Sequence, residues 1–186
     1  RVICVDNFMT GFRSNLNTSP FLEVIDGNIQ DLNLDNFNQC KGIFHLAAQV
    51  SVSKSIEYMF KSSSNNLTST LKVWEIANEL RIPIVYASSS AVYGDLPLGD
   101  DEIGNHSILS PYAMDKLTME RYASLSWDLH KTASLGLRFF NVYGPRQNPS
   151  SSYSGVISIF LDRLISGNKV LLNGGYQTRD FIYVKD

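Results

Sequence analysis

Residues 84–94 read Ile-Val-Tyr-Ala-Ser-Ser-Ser-Ala-Val-Tyr-Gly, an apolar run that stops at three consecutive serines. A short apolar run bounded by turn residues is the mark of a strand buried on both faces. The same pattern recurs along the chain. Arg1-Val-Ile-Cys-Val5 ends at Asp6-Asn7, ahead of Gly11. Phe21-Leu-Glu-Val-Ile25 ends at Asp26-Gly27, Gly42-Ile-Phe-His-Leu46 at Ala47-Ala48, and Ser134 to Phe140 at Asn141. Between these runs lie helical spacings. Leu67, Leu71, Trp74, Ala77 and Leu80 share one face, with Pro83 closing the segment. A second helix is expected from about Tyr112 to His130 behind Pro111, and a third from Val156 to Ile165, stopped by Gly167. Apolar strands alternating with helices predict a doubly wound α/β domain, its parallel sheet covered on both faces. Ligands of such sheets sit beyond the carboxyl ends of the strands, so chemistry is expected among the polar residues found there.

Composition narrows the classes. The chain has 186 residues, 44% of them hydrophobic, enough for one sizeable core. A formal charge of −2 excludes the basic footprint of a nucleic-acid binder. Cys4 and Cys40 lie far apart, with no CxxC pair and no histidine spaced to complete a zinc site, so neither a disulfide nor a metal is expected. Apolar runs such as 82–87 and 170–172 are too short to span a bilayer, and no signal peptide is visible, so no membrane partner and a cytoplasmic location are expected. The serine clusters Ser62–Ser64 and Ser150–Ser152 read as loops, and no repeat is found. Leu96 to Ser110, with Pro97, Gly99 and Gly104, reads as a loop over an active site. From Gln147 the composition turns loop-like, which divides the chain into a main domain, 1–146, and the beginning of a smaller lobe, 147–186.

Tyr112 and Lys116 are four apart on the second helix and project from one face. Alone, YxxxK is weak, and a surface tyrosine and lysine is the plainer reading. Asp6 is equally a turn residue or a ligand to sugar hydroxyls, and Asn66 equally a helix cap or a cofactor contact. His45 inside an apolar strand reads as a satisfied interior imidazole, and His106 and His130 as loop and helix-end residues. Phe139, Phe140 and Phe160 read first as core.

Taken in order, however, the apolar strand, Ser88-Ser-Ser90, Val92-Tyr-Gly-Asp95, Ser110-Pro-Tyr112 with Lys116, then Arg138-Phe-Phe-Asn-Val-Tyr-Gly-Pro-Arg-Gln147 resembles the extended short-chain dehydrogenases/reductases of the NAD-dependent epimerase/dehydratase type. The likeness covers essentially the whole chain and is strongest to UDP-glucose and UDP-N-acetylglucosamine 4-epimerases. It implies a Rossmann-type sheet truncated at both ends, its first strand and glycine-rich turn lying before Arg1, with the start of a substrate-binding lobe. It also implies NAD, a UDP-sugar substrate and a homodimer.

By the same resemblance, Tyr112 is the base that takes the proton from the sugar C4 hydroxyl, Ser89 its hydrogen-bonding partner with Ser90 in reserve, and Lys116 the cation that stabilises phenolate. A tyrosine whose ordinary pKa is about 10 needs such a cation at neutral pH. The implied cofactor contacts are Asp6, Asn7, Asn28, Ile29, Ala47, Ala48, Gln49, Asn66, Tyr112, Lys116 and Phe139. Asn28 stands where the family more often has Asp. Substrate contacts are Ser51, Ser89, Ser90, Asn141, the Gly155-Val156 backbone, Asn173 and Arg179, the last with an Arg179–Asp180 ion pair as its plain alternative. Hydride transfer to NAD and back would pass through a transient 4-keto sugar and invert C4. Dehydratases of the family carry an Asp-Glu pair where Ser90 and Ala91 stand, which favours the epimerase. A dehydratase or decarboxylase of the family, and a non-catalytic NAD(P)-sensing or scaffold relative, are the alternatives.

Overall fold

The computed structural model describes residues 1–96, 106–151, 154–172 and 174–186. The chain divides into two units, Arg1–Arg138 and Phe139–Asp186.

In the first unit, β1 (Val2–Asp6) and β2 (Leu22–Asp26) pair in parallel, in register from Val2 against Leu22 to Asp6 against Asp26. A second sheet holds β3 (Ile43–His45), β4 (Ile84–Ser89) and β5 (Ser134–Phe139) in that order, with β3 parallel to β4. β1 and β3 are not bonded to each other, so the expected layer consists here of two parallel sheets. The crossover from β3 to β4 carries α1 (Val52–Glu57) and α2 (Met59–Leu80), and the crossover from β4 to β5 carries α3 (Pro111–His130).

The core forms where α2 and α3 meet the middle strand. Val73, Trp74 and Ala77 of α2, Met119 and Ala123 of α3, and Ile82, Ile84 and Tyr86 are buried together. The Trp74 and Tyr86 rings meet edge to face, 5.2 Å between centroids, a geometry that adds to area burial. Gly136 lets β5 pass this cluster, because a Cβ there would lie 2.5 Å from the Tyr86 ring. Both helices end on a residue in the left-handed region, Arg81 at φ 54° and Lys131 at φ 59°, whose N–H groups return to the Ala77 and Trp127 carbonyls.

Three local expectations are corrected. Ser62–Ser64 lie inside α2, not in a loop, because their hydroxyl and carbonyl groups find partners there: Gln49 Nε2 donates to Ser62 Oγ at 2.8 Å, and Thr68 Oγ1 to the Ser64 carbonyl at 2.6 Å. Asn66 is therefore mid-helix and caps nothing. The buried face of α2 is also turned from the leucine stripe, running through Ser62, Asn66, Ser69, Thr70, Val73, Trp74 and Ala77 while Leu71 is exposed. Polar residues line its first turns because that end of the helix faces a polar loop.

In the second unit, β6 (Asn141–Tyr143) pairs in parallel with β7 (Phe181–Tyr183), and α4 (Val156–Ile165) runs between them in sequence. The Tyr143 ring packs on Phe181 at 6.2 Å and on Tyr183 at 5.5 Å. Pro97, Gly99, Gly104, Ser152 and Asn173 lie outside the described residues.

Candidate active site

β4 runs on through Ser88 and Ser89, so the first two serines belong to the strand and their side chains alternate in direction. Ser88 Oγ donates to Glu120 at 2.5 Å. Ser89 caps the tight turn over Ser90–Tyr93, its Oγ accepting from the Ala91 N–H at 3.1 Å. Ser90, half-buried, opens that turn. Gly94 closes it at φ 57°, where a Cβ would collide with the Ser107 carbonyl.

α3 is aimed at the same place. Ser110 caps it, accepting from the Ala113 N–H at 3.1 Å, Pro111 begins it, and Ser55 Oγ of α1 accepts from the Tyr112 N–H at 3.1 Å. Tyr112 and Lys116 are consequently 8% and 3% exposed, and Ser89 is 9% exposed. Lys116 Nζ donates to the Ala87 carbonyl at 2.6 Å and lies 5.8 Å from the centroid of the Tyr112 ring.

Burial raises the Tyr112 pKa; the Ser89 hydroxyl, hydrogen-bonded to it, pulls it down, and the Asp115 charge raises it again. Burial lowers Lys116 to about 8, against an opposing push from Asp115. At neutral pH the pair is a phenol beside an ammonium. Proton abstraction therefore requires a further positive charge near Tyr112.

The loop after β3 is clamped from beneath. Asn66 Oδ1 accepts from the Gln49 N–H at 2.8 Å, and Asn66 Nδ2 donates to the Gln49 carbonyl at 3.2 Å. Gln49 Nε2 bonds the Ser51 carbonyl at 3.1 Å as well as Ser62. Ser51, 4% exposed, caps α1 through a bond from the Lys54 N–H at 3.1 Å. Gln49, Asn66 and Ser51 thus spend these groups on the protein, while Ala47 stays exposed and Ala48 half-buried. His45 is buried, its Nε2 3.3 Å from Thr70 Oγ1, and burial and the Lys116 charge lower it to about 4.

At the ends of β1 and β2, Asp6 Oδ1 accepts from the Phe8 N–H at 2.7 Å, Asn7 Nδ2 donates to Asn28 Oδ1 at 2.8 Å, and Asn28 Nδ2 donates to Asp31 at 2.9 Å. Ile29 begins the next turn. A carboxylate with amide acceptors suits the hydroxyls of a nucleoside ribose and disfavours a phosphate on it, so this donor set fits NAD. Phe139 is the last residue of β5.

The second unit holds the other substrate candidates by itself. The Asn141 N–H and Nδ2 both donate to the Asp180 carbonyl at 3.0 Å. Arg179 is exposed, bonded to the Thr178 carbonyl at 2.7 Å, and no Arg179–Asp180 ion pair is present among the described residues. Gly155 and Val156 form the N-terminal end of α4.

Two groups escaped the sequence reading. Asp115, 4% exposed, accepts from Asn66 Nδ2 at 3.0 Å. Glu120 takes both Nε and Nη2 of Arg138, at 2.9 and 2.7 Å, and Arg138 Nη2 also lies 3.1 Å from His106 Nε2. The helical period was a signal for the first: 112, 115, 116, 119 and 123 share one face. Nothing local signals the second, because Glu120 and Arg138 belong to different elements.

The model of the NAD dependent epimerase/dehydratase family matches residues 1–186. A protein of Methanocaldococcus jannaschii, provisionally named a UDP-glucose 4-epimerase, is 39% identical over 100% of this chain and 62% of its own length. The UDP-N-acetyl-alpha-D-glucosaminuronate decarboxylase of Bacillus cytotoxicus is 31% identical over 100% of this chain and 60% of its own length. Among solved structures, the UDP-N-acetylglucosamine 4-epimerase of Methanobrevibacter ruminantium M1, in complex with UDP-N-acetylmuramic acid, superposes with a TM-score of 0.91 at 34% identity, covering 98% of this chain and 61% of that one. The chain spans about three fifths of the length of these relatives.

Proposed function

Because this chain belongs to the NAD-dependent epimerase/dehydratase family, we propose that the whole protein is a nucleotide-sugar 4-epimerase acting on a UDP-hexose or UDP-N-acetylhexosamine. The observation that carries the reading is the buried meeting of Ser89, Tyr112 and Lys116 at the carboxyl end of β4. NAD, when bound, supplies a reversible hydride acceptor. Asp6 and Asn7 would hold its adenosine ribose and Asn28 and Ile29 its adenine, and the small residues Ala47 and Ala48, next to the clamped Gln49, would allow it close approach. Tyr112 Oη takes the proton of the sugar hydroxyl and later returns it. Ser89 aligns that phenol, and the Lys116 ammonium stabilises the phenolate, with the oxidised nicotinamide, when bound, as the further positive charge that would be needed. The depth of all three residues excludes water from the proton's path.

Ser90 and Ala91 provide no carboxyl pair for the elimination of water, which supports epimerisation over dehydration. Asn141, Arg179 and the Gly155–Val156 backbone are the groups proposed to receive the diphosphate and uridine, a guanidinium being suited to bidentate phosphate contact. The test is an assay of the full-length protein with UDP-glucose and UDP-N-acetylglucosamine, the C4 configuration of the product being read by NMR. Inversion at C4 is expected, with kcat reduced by about 10²–10⁴ in Tyr112→Phe. Release of a 4-keto-6-deoxy sugar would overturn the epimerase, and undiminished turnover in Tyr112→Phe would overturn the assigned base.

A further inference from the structure

Asp115 takes no part in the steps above, yet its carboxylate is almost wholly buried on the face of α3 that carries Tyr112 and Lys116. A buried carboxylate is costly unless it is hydrogen-bonded and its charge is balanced. The hydrogen bond comes from Asn66 Nδ2 at 3.0 Å. The orientation of that amide is not free. Asn66 Oδ1 is held by the Gln49 N–H, so the NH₂ group must face Asp115, which can only accept. Asp115 forms no ion pair within 4 Å among the described residues, and the nearby ammonium of Lys116 is bonded to the Ala87 carbonyl instead. The carboxylate therefore acts on the pair through its field.

We propose that Asp115 is a positioning residue of the Tyr112–Lys116 pair, a carboxylate locked by Asn66 whose negative charge balances the buried ammonium and sets the pH range in which the pair works. The proposal rests on the reading of Tyr112 as base and Lys116 as its cation. A fixed anion favours the charged form of lysine and disfavours the charged form of tyrosine, so both ionisations move to higher pH. Both effects of Asp115 are present here, opposing burial at Lys116 and adding to it at Tyr112. Among the described residues, the other groups facing the pair leave Asp115 as the dominant anion. From β3 comes His45, neutral; from β4, the Ser89 hydroxyl and Ala87 carbonyl; from α1, the Ser55 hydroxyl; from α2, Asn66. Glu120, one turn further along α3, is engaged by Arg138 and Ser88.

The test uses Asp115→Asn and Asp115→Ser in the full-length protein with NAD. Asn keeps the volume and an acceptor for Asn66, and Ser repeats the experiment with a smaller neutral group. Two quantities are followed against pH: the phenolate absorbance of Tyr112, isolated by difference from Tyr112→Phe, and kcat. In both variants the phenolate midpoint and both limbs of the rate profile are expected to move to lower pH, on the order of one unit. A loss of rate with unmoved midpoints, the outcome of a merely structural role, overturns the proposal. Absence of epimerase activity in the parent protein would overturn the function instead, and the absorbance titration still decides the role of Asp115.

Discussion

Two regions of the first unit carry polar residues at strand ends, and they hold them in opposite ways. At the end of β4, Ser88 and Ser89 are buried and fixed by Glu120 and by the turn that follows, with Tyr112 and Lys116 delivered to them by α3. At the ends of β1 and β2, Asn7 is exposed, Asp6 and Asn28 are half-buried, and their bonds run to one another, to Asp31 and to the next loop. The first arrangement is set before any ligand arrives, as catalysis by fixed charges and dipoles requires. The second is loosely satisfied, and its acceptors can exchange present partners or water for ribose hydroxyls at small cost.

If that contrast is right, substitutions of similar chemistry should differ in size between the two regions. The largest effect on stability is expected at Glu120, whose bidentate bond with Arg138 backs Ser88, both side chains being 17% exposed. Glu120→Ala leaves the guanidinium without its partner and should cost about 3 kcal/mol in denaturant unfolding. Its pH dependence has a definite sign. Burial alone would raise the Glu120 pKa, but the bonds from Arg138 and Ser88 and the Arg138 and His106 charges bring it below its ordinary 4.5. Its stabilisation is therefore complete above that value and is lost as pH falls through the lower folded value. The acid limb of stability should flatten in Glu120→Ala.

A smaller effect is expected at the other region. Asp6→Ala should weaken NAD binding by about tenfold to a hundredfold, the loss of hydrogen bonds to a charged acceptor, with little change in unfolding free energy. Calorimetric titration of the full-length protein checks it, and unchanged affinity would remove Asp6 from the cofactor site. The smallest effect belongs to Arg13, paired with Asp26 at 2.7 Å on the surface with side chains 57% and 58% exposed. Arg13→Ala should alter stability by less than about 1 kcal/mol. A larger loss would mean that the β1–β2 region is held as firmly as β4, and the contrast would fail.

Much of this was legible in the residues. β1 to β5 were readable because each run is largely apolar and ends at a turn residue, whereas β6 and β7 were not read as strands, and α4 was readable in full, from Val156 to Ile165, because its sequence alone carries its start and stop. α2 was not. Its amino-terminal half, Met59 to Asn66, is serine- and asparagine-rich, and these residues disfavour a helix interior until partners elsewhere satisfy them. Ser62 and Asn66 find that partner in Gln49, a contact no window of sequence displays.

The same division runs through the candidate site. Tyr112 and Lys116 share a helical face, and Ser89 stands at a strand end, by periodicity alone; the order of motifs was enough to identify the family. Tertiary structure decided how deep these residues lie, that Asn66 supports the site from mid-helix, and that Asp115 and the Glu120–Arg138 pair stand behind it. The physical reason is that periodicity follows from bonds along one segment, whereas burial, charge balance and pKa depend on which other segments close over a residue, and those are chosen only when the chain packs.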